Sequence, residues 1–147
     1  MTAIVIDANL ALALVVPLPY SNTVQQLVEK WHQQAVRFAV PALWGYEVVS
    51  GLRKAITAGV LTDEEAYAAV ENLWSLDLQE IPATLERHRQ ALAWAERLGQ
   101  TVAFDAQYLV VSEELDAPFW TADKLLSTGA RATGANWFAG LVTRIER

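Results

Sequence analysis

Four acidic side chains offer the chain its most specific chemistry: Asp7, Glu47, Asp105 and Asp123. Asp7 directly follows the apolar run Ile4-Val5-Ile6 and precedes Ala8-Asn9. Such a run reads as a strand covered on both faces, because Ile and Val suit a pleated, buried surface. An unpaired carboxylate is costly inside that layer. Asp7 is therefore expected at the strand's carboxyl end, the edge where open α/β sheets bind ligands. Asp123 repeats the pattern after Pro118-Phe119-Trp120-Thr121. If both strands are central and parallel, both carboxylates leave the sheet on one edge. Glu47 interrupts a largely apolar helical stripe formed with Leu43, Trp44, Ser50 and Gly51. Asp105 lies near the first turn of a helix within Val102-Ala103-Phe104-Asp105-Ala106, and these flanks predict a buried helix end. Each acid also has a plainer role open to it, since Asp caps helices and turns and an acid in a first turn is favoured by the helix dipole.

The positions permit the four to meet. Carboxylates converging without basic partners repel one another and hold protons unless a divalent cation neutralises them. An all-oxygen donor set suits Mg²⁺ or Mn²⁺. Such a site activates water and steadies a transferring phosphoryl group, which is the chemistry of phosphodiester hydrolysis. Arg53, Lys54 and Lys124 are the cations nearest the acids in sequence and are the candidates for phosphate contacts. Gly51 costs about 1 kcal/mol relative to Ala inside a helix, so its presence predicts the close approach of another backbone or of a substrate. His32 and His88 have no second ligand three or four residues away and read as ordinary surface residues. Arg87 and Arg89 are expected to pair with Glu86 and Glu96 in solvent.

The elements that must position these side chains alternate between strand and helix. After the first strand, Leu10 to Val16 reads as a short helical or irregular piece closed by Pro17 and Pro19. A helix capped by Ser21 should run to about Gln34 with Val24, Leu27, Val28 and Trp31 on one face. Arg37 to Val40 reads as a second strand, and Pro41 as the start of a helix ending at Gly59. Thr62-Asp63-Glu64-Glu65 is a capping box. A weak third strand at Leu78 to Ile81 precedes a helix from Pro82 to Gly99. Thr101 is expected to cap the helix that carries Asp105, and Asn136-Trp137-Phe138 to form a last edge strand. Trp31 and Trp74 fall on apolar helix faces and are expected in the core. The alternation predicts a parallel sheet with helices on both faces, in one domain spanning 1–147.

Composition narrows the class further. Of 147 residues, 53% are hydrophobic and 19% charged, which marks a folded chain with one substantial core. Cysteine is absent, which excludes disulfides, zinc–thiolate sites and a thiol nucleophile. The start lacks the pattern of a signal peptide, and Leu10 to Val16 is too short to span a bilayer, so the expected setting is cytoplasmic, with no membrane. The net charge of −6 argues against nucleic acid when taken bare, but each Mg²⁺ held by the acids would cancel two of those charges.

Four stretches together resemble the PIN-domain nucleases. These are Ile4-Val5-Ile6-Asp7-Ala8-Asn9, then Pro41-Ala42-Leu43-Trp44-Gly45-Tyr46-Glu47-Val48, then Phe104-Asp105-Ala106-Gln107-Tyr108-Leu109, then Trp120-Thr121-Ala122-Asp123. Their order and spacing fit from residue 4 to about residue 126, and the chain's size is most similar to the VapC-type toxins of bacterial toxin–antitoxin pairs. The resemblance implies a three-layer α/β/α PIN-like domain with a central parallel sheet of four to five strands. It implies a metal-dependent endoribonuclease with Asp7, Glu47, Asp105 and Asp123 as the acidic set, Mg²⁺ or Mn²⁺ as cofactor and RNA as substrate. A homodimer and a small antitoxin partner are implied as well. Asn9 and Thr121 match polar positions beside the acids and take supporting roles, orienting a carboxylate or a bound water. Two other readings remain open. One is an α/β phosphatase or phosphoacceptor with Asp7 as nucleophile, although Asn9 stands where such enzymes usually place a second aspartate. The other is a PIN-like domain that binds protein without catalysis. A dinucleotide-binding module is disfavoured, because no glycine-rich turn follows the first strand.

Overall fold

A computed structural model describes residues 3–133 and the strand 142–144. The elements run β1 (Ala3–Ile6), α1 (Ala8–Leu12), α2 (Ser21–Gln33), β2 (Arg37–Pro41), α3 (Leu43–Thr57), α4 (Asp63–Trp74), β3 (Leu78–Ile81), α5 (Leu85–Leu98), α6 (Phe104–Leu115), β4 (Phe119–Thr121), α7 (Lys124–Ala132) and β5 (Val142–Arg144). The sheet has five strands in the order β3-β2-β1-β4-β5, and every neighbouring pair is parallel. This is the α/β architecture expected from the alternation of elements. The expected edge strand at Asn136-Trp137-Phe138 lies outside the described residues. No described helix is long and apolar enough to cross a membrane.

The core explains why β1 is so apolar. Ile4, Val5 and Ile6 are buried, as are Phe38, Ala39 and Val40 of β2 and Phe119 of β4. Helices close over the layer with Trp31 of α2, Trp44, Val48 and Leu52 of α3, Trp94 of α5 and Tyr108 and Leu109 of α6. Trp31 packs edge-on against both Phe38 and Trp120, at 6.0 and 5.1 Å between ring centroids. Burial of this kind stabilises each large side chain by roughly 1.5–3 kcal/mol.

Several local expectations are corrected. Pro41 ends β2 instead of starting a helix, and Ile81 is its parallel partner in β3, so Pro41 sits where β2 leaves the sheet. Pro82 lies two residues before Thr84, whose hydroxyl caps α5 through the Arg87 amide. Thr101 caps nothing: α6 begins after Ala103 without a side-chain cap. Ser21 is the first residue of α2 and not its cap; its hydroxyl bonds back to Leu18 and Val16 and ties down the preceding loop. Trp74 is 48% exposed, because only part of its ring packs against Trp44, at 5.2 Å. Arg87 makes a bidentate pair with Glu114 and Arg97 stacks on Trp94, leaving Arg89 with a long 3.9 Å contact to Glu86. The capping box at Thr62 and Glu65 forms as read, and Gly59 and Gly99 take the left-handed conformation that ends a helix.

Gly51 also departs from expectation, in an instructive way. A Cβ there would lie 2.3 Å from Cδ1 of Leu12, so the close neighbour is the α1 side chain and not another backbone. Leu12 is buried and α1 is only five residues long, so this contact seats the helix that follows Asp7. Gly51→Ala is expected to destabilise the protein by about 1–2 kcal/mol through overpacking. In a Leu12→Ala background the same change should instead stabilise by up to ~1 kcal/mol, as helix propensity alone predicts. Urea denaturation of the four proteins reads this change of sign, and equal effects in both backgrounds would disprove the contact.

Candidate active site

β1 is the point where the strand order turns back: the chain steps from β1 to β2 on one side, and β4 pairs on the other. The carboxyl ends of β1 and β4 therefore flank a crevice at a topological switch point. Asp7 stands there. Its backbone N–H donates to the Trp120 carbonyl at 3.0 Å, extending the β1–β4 pairing, and it is also the N-terminal cap residue of α1. Asp123 stands across the crevice as the cap of α7, accepting the Leu126 N–H at 3.1 Å. For Asp123 the capping role and a place at the site hold together.

Thr121 joins the two acids. Its hydroxyl donates to Asp7 Oδ2 at 2.7 Å and accepts the Asp123 N–H at 3.0 Å. One buried side chain thus fixes the Asp7 carboxylate and the turn carrying Asp123. Asn9 supports Asp7 only through its backbone amide, which lies close enough to favour the charged carboxylate but makes no capping hydrogen bond to it; its side chain is exposed.

Glu47 and Asp105 complete the group from α3 and α6. Glu47 is half-buried and accepts the Tyr108 hydroxyl at 2.6 Å. Asp105 is half-buried and accepts the Gln100 side-chain amide at 3.0 Å. Its flanks were expected to be buried, yet Val102 and Phe104 are exposed, so only the carboxylate's own face turns inward. Tyr108 and Gln100 were not given roles from sequence. Tyr108 had a legible signal, because a residue three after Asp105 shares its helical face. Gln100 had none, since it precedes the helix by a short irregular stretch.

The electrostatics show that the four acids share one field. Burial pushes the Asp7 carboxyl from 3.8 up to about 7, and the charges of Glu47 and Asp105 push the same way against the Thr121 bond and the nearby Asn9 amide. Burial raises Glu47, with the Asp105 charge adding to it. Burial likewise raises Asp105, with Asp123 adding to it. Tyr108 is held well above its usual range by burial and by the nearby Asp7 and Glu47 charges, so it stays a donor. Among the described residues no Lys, Arg or His forms an ion pair with any of the four.

Each carboxylate is instead anchored by one neutral side-chain or helix donor. Among the described residues no three His, Asp or Glu side chains are gathered tightly enough to enclose a metal ion, so the acids form an open group of neighbours. Their donor chemistry, oxygen-only and uncompensated, fits a hard divalent cation. Of the candidate phosphate contacts, Lys54 lines a groove of about 340 Å³ together with Asn9, Leu12 and Gly51. Arg53 is exposed, with no described contact to the acids, and the Lys124 side chain lies outside what is described.

A parallel sheet with an acid-lined crevice at its switch point is the layout of a PIN-like nuclease fold. No family profile matches the chain. Individual relatives do. Ribonuclease VapC3 of Pyrobaculum aerophilum is 30% identical over 125 residues, covering 84% of this chain and 92% of the relative. Ribonuclease VapC12 of Mycobacterium tuberculosis is 29% identical over 124 residues, covering 84% and 89%. Among solved structures, VapBC2 of Rickettsia felis, bound to a DNA fragment from its promoter, superposes with a TM-score of 0.65 at 12% identity, covering 99% of this chain and all of that one. PAE2754 of Pyrobaculum aerophilum gives 0.62 at 21% identity, covering 87% and 79%. The chain belongs to the VapC family of PIN-domain proteins.

The raised Asp7 value makes metal-free stability depend on pH. Native Asp7 keeps its proton up to about 7, whereas the unfolded chain releases it near 3.8. Stability is therefore complete below the unfolded value and falls as pH rises through the folded one. Glu47 and Asp105 act in the same direction. In the presence of a chelator, Asp7→Asn should be more stable than wild type at pH 8 by on the order of 2–3 kcal/mol, with the gap closing near pH 4. Urea unfolding across this range checks it; parallel pH profiles would remove the buried charge from the account.

Proposed function

We propose that the protein is a metal-dependent endoribonuclease, the toxin of a toxin–antitoxin pair, acting on RNA in the cytoplasm. The observation that carries this reading is the set of Asp7, Glu47, Asp105 and Asp123 at one switch point, sharing a field with no cationic partner among the described residues. The relatives named ribonuclease support it.

Asp7, Glu47, Asp105 and Asp123 would hold Mg²⁺ or Mn²⁺. When bound, the cation supplies water activation at neutral pH and a counter-charge for the phosphodiester undergoing hydrolysis. The chain's own contribution is preorganisation. Thr121 keeps Asp7 and the Asp123 turn in register, Gln100 aims Asp105, and the apolar walls of β1, α1 and α3 limit water around the carboxylates. Lys54, in the groove beside Asn9, would meet a backbone phosphate of the RNA. The phosphoacceptor alternative fits less well. Asp7 is only 7% exposed and is already bonded by Thr121, so its carboxylate is a poor nucleophile.

The test is cleavage of a panel of single-stranded and structured RNAs by protein freed of any co-purified partner, with Mn²⁺ or Mg²⁺. Wild type should cleave only with metal, while Asp7→Asn and Asp105→Asn should lose at least 100-fold in rate and remain folded. Cleavage that survives both substitutions would separate activity from this site.

Both expected protein partners belong to the same proposal. The small antitoxin blocks the crevice. A second copy of the chain covers an exposed apolar face: Leu85 and Leu92 lie seven residues apart on α5, and between them His88 lines a cleft of about 290 Å³ that also includes Tyr46 and Phe104. Tyr46 is 77% and Phe104 56% exposed, more than an isolated monomer usually leaves together. Leu92→Glu should halve the mass measured by light scattering without changing the circular dichroism spectrum; an unchanged mass would place the contact elsewhere.

A further inference from the structure

We propose that Tyr108 is a positioning residue that sets the Glu47 carboxylate in register with Asp7 and Asp105. The inference rests on the reading of these acids as a cation-holding set. Two helices meet at one hydrogen bond. The Tyr108 hydroxyl, carried on α6, donates to Glu47 Oε1 on α3 at 2.6 Å. The hydroxyl also lies near the backbone of Ala8, the first residue of α1 and the neighbour of Asp7. Tyr108 also lies one turn beyond Asp105 on the same helix.

The ring itself has little freedom. Tyr108 is buried and stacks on Phe119 of β4, with centroids 5.3 Å apart and planes 18° from parallel. A phenol has one proton to donate. With the ring locked by stacking and burial, that proton is committed to Glu47. The choice of donor matters as well. An Arg or Lys here would hold Glu47 equally firmly but cancel its charge. A neutral hydroxyl fixes the carboxylate and leaves its charge available to a cation. If Tyr108 served only as core filling, Phe would pack the same space without a buried hydroxyl needing partners.

The variant is Tyr108→Phe, which keeps the stacked ring. Mn²⁺ affinity is measured by titration calorimetry, and RNA cleavage is resolved into kcat and KM, both well below the melting temperature. The Mn²⁺ Kd should rise about 10-fold, the lower end of what loss of a ligand-orienting partner costs. The kcat should fall with the KM for RNA unchanged. A lowered melting temperature with wild-type Kd and kcat would mean a purely structural role and overturns the proposal. A double-mutant cycle gives an independent reading: once Glu47→Gln has weakened Mn²⁺ binding, adding Tyr108→Phe should cost nothing further, and additive losses overturn the coupling. Wild type that neither binds Mn²⁺ nor cleaves RNA overturns the underlying reading and this one together. Wild type that does both, beside a Tyr108→Phe protein that does both equally well, overturns this one alone.

Discussion

Everything at this site follows from placing a carboxylate, Asp7, at the end of a buried strand with no positive charge among the described residues to meet it. The fold tolerates this because the cost is shared. Thr121 bonds the Asp7 carboxylate and the Asn9 amide lies beside it, yet burial still raises Asp7 to about 7. A lysine in the crevice would relieve the strain and cancel the negative charge that the acids leave uncompensated. The protein instead carries an electrostatic deficit in its resting state. Any divalent ion that enters relieves that deficit, so binding and folding free energy are coupled through the same four side chains.

Neutral donors are the means by which the deficit is kept in order. Thr121, Gln100, Tyr108 and the Leu126 amide each hold one acid, and each comes from a different place in the chain. Their backbones are themselves pinned. Thr121 lies in β4, paired to β1 on one side and β5 on the other. Tyr108 and Ser112 face the core from α6, where Ser112 bonds the Ala117 carbonyl and closes the turn into β4. The positions of the carboxylates are thus inherited from the sheet through short, rigid connections.

This pattern also explains what was legible in the sequence. Asp7 and Asp123 could be read because a buried strand ending in an acid conflicts with hydrophobic burial, and that conflict is visible residue by residue. Glu47 was legible as the break in an apolar stripe. The family resemblance rested on the same four stretches, and the VapC relatives agree with it. Donors to the acids were harder. Thr121 was visible beside Asp123, whereas Gln100 lies in an irregular segment whose direction only the tertiary structure sets. Trp74 misled because helical spacing records which residues share a face and not how far the neighbouring helix extends to cover it. Pro41 and Pro82 misled because a proline at the end of a parallel strand and one at the first turn of a helix look alike when the strand is short.

The connections on the site's edge of the sheet are unusually brief. Only Asp7 separates β1 from α1, only Ala42 separates β2 from α3, and Ala122 with Asp123 separates β4 from α7. Many α/β proteins change specificity by lengthening the loops above their strands. At these three connections no such loop exists to lengthen, and an inserted residue would carry an acid out of the group. The stretch 99–103 is longer but carries Gln100, which holds Asp105, so diversification of this scaffold is channelled to the outer faces of the helices and to the stretch 13–20, and what the protein recognises can drift while the acids stay in place.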